Sequence, residues 1–201
     1  MRTVFQNCTL LDGTEQMTPR PGTDVAIEND RIAQIGKITP NKGDRVVDLT
    51  GKYLMPGLIN LHVHLPAGGK PRNKPMNTNR LTKIALSSGL SRALVLRMCH
   101  AYAMQGLLSG VTTVRAVGGL DNLDTRLRDR IHAGKLDGPR ILAANYAIGV
   151  PHGHMVGSVT HPAETVEDAV RMVDQLHGQN VDLIKLMITG GVMDAKVKGE
   201  P

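Results

Sequence analysis

The sequence predicts an α/β fold with parallel strands, entered through a separate β-rich segment. Two observations carry this. Short apolar or β-branched runs at residues 58–65, 110–119, 140–146 and 181–189 alternate with stretches whose apolar residues recur at helical spacing. That order is what a parallel sheet with crossover helices needs. Residues 3–56, by contrast, hold only short runs broken at Asp12-Gly13, Asn29-Asp30 and Thr50-Gly51, which read as strands and turns. With 201 residues, 41% of them hydrophobic, the chain can fill one large or two small cores.

Charge and cysteine usage narrow the classes. From Leu49 to Leu120 there is no Asp or Glu, yet nine Lys and Arg fall there; removing them from the net +6 leaves the rest of the chain at −3. The basic character therefore belongs to one segment, which is expected to face an anionic substrate or further polypeptide. Nucleic-acid binding is not expected, because one Phe and three Tyr give little to stack bases on. Cys8 and Cys99 lack metal-type spacing, which points to a reducing compartment. The polar start at Arg2 and the lack of any apolar run near ~20 residues predict a soluble cytoplasmic protein without membrane contact.

Along the chain, Pro56-Gly57 marks a turn into the strand at 58–65, which carries His62 and His64. Two residues apart on a strand, they share a face with Cα atoms about 6.5–7 Å apart, close enough for both imidazoles to reach one metal ion. A long Pro-, Gly-, Asn- and Lys/Arg-rich loop is expected from Pro66 to about Lys83, containing Lys70, Arg72 and Lys74. Residues 91–109 form a helix with Leu94, Leu96, Met98, Met104 and Leu108 in its apolar stripe; His100 reads as a helix-face residue rather than a ligand. The β-branched run 110–119 is the second strand, 120–133 a helix, and 140–146 a buried third strand. His152 and His154 then form a second His-x-His, but Pro151 and Gly153 place it on a loop where strand alternation does not fix their faces. A substrate-contacting role suits them better than a second metal site. Thr165 with Asp168 caps a helix running to Gly178. The run 181–189 is the fourth strand and contains Lys185, a cation that is costly inside an apolar strand unless paired or modified.

Several of these stretches together resemble one family. Pro56-Gly57-Leu58-Ile59-Asn60-Leu61-His62-Val63-His64 is similar to the first barrel strand of the metal-dependent amidohydrolase superfamily. Gly110-Val111-Thr112-Thr113-Val114-Arg115-Ala116-Val117-Gly118 resembles its second strand, with Ala116 where the family has Asp. The loop with His154 resembles the Thr-Gly-Gly-His-Gly loop of dipeptidase-like members, His152 replacing a glycine. Asp182-Leu183-Ile184-Lys185-Leu186-Met187-Ile188-Thr189-Gly190-Gly191-Val192 resembles the fourth strand, whose lysine is carboxylated by CO₂ and bridges two metal ions.

The resemblance implies the first half of a (β/α)8 TIM barrel at residues 57–201, preceded by a small β-sandwich domain at 1–56 that a later segment completes. It implies a hydrolase of C–N bonds, dipeptidase- or N-acyl-amino-acid-like, with two divalent metals, zinc by expectation. His62, His64 and carboxylated Lys185 would be metal ligands, and His154 and His152 substrate contacts. No catalytic residue is assigned within the chain: the general-base Asp and further His ligands are expected beyond Pro201, on a missing C-terminal half. The substrate is expected to be a small molecule bearing a carboxylate, and homo-oligomerisation is left open. Two alternatives stand beside this reading: a mononuclear imidazolonepropionase- or deaminase-type enzyme, and an inert fragment.

Overall fold

The computed structural model describes residues 1–69 and 77–190. The chain divides into two compact units, Met1–Gly57 and Leu58–Pro201.

The first unit is one five-stranded sheet. β1 (Thr3–Leu10) lies at its centre, with β2 (Arg20–Glu28) antiparallel on one side and β3 (Arg31–Gly36) outside β2. On the other side of β1, β4 (Arg45–Asp48) and β5 (Tyr53–Leu54) pair parallel to its two halves. The β2–β3 hairpin turns at Asn29 and Asp30, both at positive φ (48° and 63°), the backbone that a tight two-residue hairpin requires and that Asn and Asp tolerate. Val4, Ala26 and Ile38 form one small core, and Cys8, Leu10 and Val25 another. Asp24 is buried, but it accepts the Asn7 and Ile38 backbone N–H groups at 2.9 Å each. Those bonds hold its carboxyl below the usual range, so it serves as a structural clamp where the β1 register shifts. Ile32 and Val46 remain exposed.

In the second unit, β6 (Leu58–Val63), β7 (Val111–Ala116) and β8 (Arg140–Ala143) form a parallel sheet in that order. α2 (Gly89–Leu108) connects β6 to β7, and α3 (Leu123–His132) connects β7 to β8. Leu96, Cys99, Val114, Ala116, Leu123, Leu127 and Ile141 pack between those helices and the sheet. Ser88 with Ser91 opens α2 through reciprocal side-chain and backbone bonds, and Thr165 with Asp168 opens α4 (Val166–Gly178) in the same way. His100 on α2 bonds the Asp137 carbonyl at 2.8 Å, which fits the helix-face reading.

Three details differ from the sequence reading. The loop expected to reach Lys83 is helical from Thr78, because the Asn77 side chain accepts the Arg80 N–H and starts α1 (Thr78–Ala85). The third strand stops at Ala143, since Asn145 takes φ 59°. Beyond it, residues expected as loop form β9 (Ala147–Gly149), which pairs in parallel with β10 (Thr160–Pro162) and with β11 (Leu186–Met187).

The fourth strand is therefore regular only over β11, and its ladder partner is β9, not β8. The approach to β11 still touches β8: the Asp182 N–H donates to the Ala143 carbonyl, and the Asp182 carboxylate accepts the Ala143 N–H, both at 2.8 Å. A side chain thus replaces one ladder bond, which is why the pairing is irregular. The alternation of parallel strands and helices itself is as expected.

Candidate metal centre

β6 delivers its two histidines to the C-terminal end of the parallel sheet. Their Nε2 atoms lie 3.3 Å apart. The Nδ1 atom of His64 is 2.8 Å from the Gly118 carbonyl just after β7. A carbonyl only accepts, so Nδ1 carries the proton and Nε2 presents its lone pair toward His62. Gly118 sits at φ 145°, and a Cβ there would lie 2.9 Å from two atoms of the His64 ring. The glycine lets the ring lie flat on the turn.

The spacing can be tested against a metal. Two Zn–N bonds of about 2.05 Å at a tetrahedral angle place their nitrogens about 3.3 Å apart. The observed separation of 3.3 Å matches. Without a shared cation or proton, two imidazole lone pairs at this distance repel. The pair alone is not a complete site: among the described residues no group of three or more His, Cys, Asp and Glu could hold a metal. Lysine falls outside that set of residue types, and Lys185, half-buried just before β11, is close enough to influence His62. Burial lowers the His62 pKa first, followed by the charges of Lys185, His64 and Arg115. The structure thus brings His62 and His64 together, with Lys185 within electrostatic reach of His62.

His152 and His154 take a different place. His152 is exposed at φ 59°. His154 is half-buried, its N–H donating to the Thr189 carbonyl at 3.3 Å, which docks the 151–155 turn beside the end of β11. Lys70, Arg72 and Lys74 lie outside the described residues.

Three participants were not read from the sequence. Asn60 and Arg115 contact the backbone of the histidine strand, and Gly118 holds His64. Asn60 shares the alternation of His62 and His64, a signal that was present. Arg115 alternates with Val114 and Ala116, which are buried against the helices, so its opposite face was also legible. No pattern in the sequence pointed to the Gly118 carbonyl.

A parallel α/β unit with a histidine pair at the C-terminal strand ends places those side chains where barrel enzymes carry their active sites. The sequence profile of the amidohydrolase family matches residues 53–201, and the chain belongs to that family. It is similar to the putative prolidase from Bifidobacterium longum, with a TM-score of 0.73 and 30% identity over 98% of this chain and 43% of that one. A Xaa-Pro dipeptidase with bound methionine in the active site gives a TM-score of 0.75 at 26% identity, covering 100% of this chain and 50% of that one. A 5-methylthioadenosine/S-adenosylhomocysteine deaminase of Thermoanaerobacter pseudethanolicus is 44% identical over 66 residues, 32% of this chain and 15% of the deaminase. The chain therefore spans about half the length of these solved structures, and its match covers a small part of the curated deaminase.

Proposed function

We propose that the complete protein is a binuclear metal-dependent hydrolase of C–N bonds acting on a dipeptide or N-acyl amino acid. The observation that carries this is the 3.3 Å pair of Nε2 atoms with Lys185 beside it. His62 and His64 would hold a divalent ion through neutral imidazoles, and Lys185, carboxylated by CO₂, would supply an anionic ligand. Zinc is the ion that the donor set fits best. When bound there, such ions would supply Lewis-acid polarisation of the scissile carbonyl and a lowered pKa for water. The chain's own residues bind and orient: the Gly118 carbonyl fixes the His64 tautomer, and the turn carrying His154, with His152 at its rim, borders the substrate. Lys70, Arg72 and Lys74 draw in a substrate carboxylate.

The remaining ligands and the general-base Asp come from a second half of the barrel. Exposed Leu58, Ile59 and Leu61 on β6 support this (49%, 63% and 57% accessible), because a bare apolar edge strand is a liability. In this reading residues 1–56 form the first layer of a β-sandwich, residues 57–201 the first four βα units, and a later segment covers Ile32 and Val46. No described helix is long and apolar enough to cross a membrane. Buried, unpaired Cys8 and Cys99 suit a cytoplasmic enzyme.

A mononuclear deaminase-type reading is favoured by the 44% identity to the deaminase. Lys185 is the feature that separates the two, since one metal needs no bridge. Full-length protein reconstituted with zinc should hydrolyse Xaa-Pro dipeptides or N-acyl amino acids and lose that activity to a chelator. Turnover of a purine nucleoside with ammonia release, and none of the amides, would instead support the deaminase reading.

Gly118→Ala provides a local test. The added methyl meets the His64 ring at 2.9 Å on a backbone of φ 145°, so the ring must leave its carbonyl partner. Zinc affinity, measured by chelator competition, should fall about tenfold or more. Unchanged affinity would show that the Gly118 contact does not orient the ligand.

A further inference from the structure

The β6–β7 ladder is irregular where the histidines sit. Asn60 pairs with Val114 and Val63 with Ala116, so β6 takes three steps where β7 takes two. An extra residue of this kind is a bulge: it unpairs backbone groups and re-aims a side chain. Two side chains satisfy the groups set free. Asn60 Oδ1 accepts the His62 N–H at 3.1 Å, and Arg115 Nε donates to the Leu61 carbonyl at 2.7 Å. The Leu61 carbonyl and the His62 N–H belong to one peptide unit, so that single plane is held from both sides, by its own strand and by the neighbouring one.

The orientation of this plane fixes the direction in which His62 leaves the backbone. On a regular strand, two Cα atoms two residues apart are about 6.5–7 Å apart with near-parallel side chains. Here the two rings are tilted by 59° and their Nε2 atoms converge to 3.3 Å. His64 is held through its own ring by Gly118. No hydrogen bond to the His62 ring other than that of His64 is found among the described residues, so its aim must be set through its backbone.

We propose that Asn60 and Arg115 are positioning residues that lock the Leu61–His62 peptide and so aim the His62 imidazole at the point His64 also reaches. This rests on the reading of His62 and His64 as ligands of one metal. Both freed groups are met by side chains, one from the same strand and one from across the ladder.

The test uses full-length protein, with zinc affinity from chelator competition, the visible spectrum of the cobalt(II)-loaded form, and thermal unfolding. Asn60→Ala removes the acceptor and Arg115→Met keeps the apolar stem without the donor. Each should weaken zinc binding about ten- to a hundredfold and shift the cobalt bands, with unfolding within a few degrees of wild type. Asn60→Asp keeps the acceptor and should bind zinc no worse than wild type. Wild-type affinity and spectrum in both Asn60→Ala and Arg115→Met would overturn the proposal, as would a loss in Asn60→Asp equal to that in Asn60→Ala. If Asn60→Ala does not fold, Arg115→Met and Asn60→Asp decide by themselves. Failure of the underlying ligand reading has a different signature: His62→Ala and His64→Ala would then bind zinc as tightly as wild type.

Discussion

Lys185→Ala in the full-length protein should reduce bound metal from two ions per chain to one or none and lower kcat/KM by about a thousandfold, a loss of about 4 kcal/mol of transition-state stabilisation. Lys185 is half-buried immediately before β11, and among the described residues no carboxylate forms an ion pair with it. Its positive charge lowers the His62 pKa. In the proposed reading, carboxylation by CO₂ would replace that cation with an anion bearing two oxygens, which would serve as a ligand. Alanine would remove that ligand. Elemental analysis separates the outcomes: an unchanged metal count would remove Lys185 from the site, even if activity fell.

The second large effect concerns stability. Asp124, in the first turn of α3, is fully buried, and neither carboxylate oxygen has a partner among the described residues. Gly119 lies so close that an added Cβ would sit 2.2 Å from one of those oxygens. Burial pushes this carboxyl up from 3.8 to about 7. The folded protein therefore holds the proton more tightly than the unfolded chain. The stabilisation is complete below about pH 4 and is lost as pH rises to about 7, on the order of 4 kcal/mol in all.

Asp124→Asn cannot ionise, so it should escape this loss. The amide variant is expected to gain stability relative to wild type between pH 5 and pH 8, read as the difference between their urea midpoints. Other titrating groups contribute equally to both proteins and cancel. A difference that is constant across that range would mean that Asp124 is already charged or already partnered.

Much of this was legible from the chain. α2 was readable from its apolar stripe, and α4 from an apolar stripe that follows the Thr165 cap; local chemistry of that kind survives folding unchanged. α1 was missed because the Pro-, Gly- and Asn-rich composition before it suggested a loop, although Asn77 is itself the cap. The fourth strand was read as too long, since an apolar run does not reveal that Asp182 will replace a ladder bond with its side chain. β9 and β10 are short and pair only with distant residues, so nothing local announces them.

The site divides along the same line. His62 and His64 were readable because period-two spacing is a local property. Their convergence to 3.3 Å was not, for it depends on a bulge, and a bulge is a relation between two strands. Lys185 was readable as an anomaly, a charge in an apolar run. Asn60 and Arg115 stood on readable faces of their strands, but their contacts to the Leu61–His62 peptide, and that of the Gly118 carbonyl to His64, depend on tertiary geometry.

In the proposed function, His62, His64 and Lys185 are half of a binuclear centre that the rest of the protein completes. The most direct measurement is the metal content of purified full-length protein, wild type beside the His62→Ala/His64→Ala double variant, by elemental analysis after dialysis against metal-free buffer. Two equivalents of a divalent ion in wild type, falling to one or none in the double variant, is the predicted result. No metal in wild type, or an equal amount in both proteins, would contradict it.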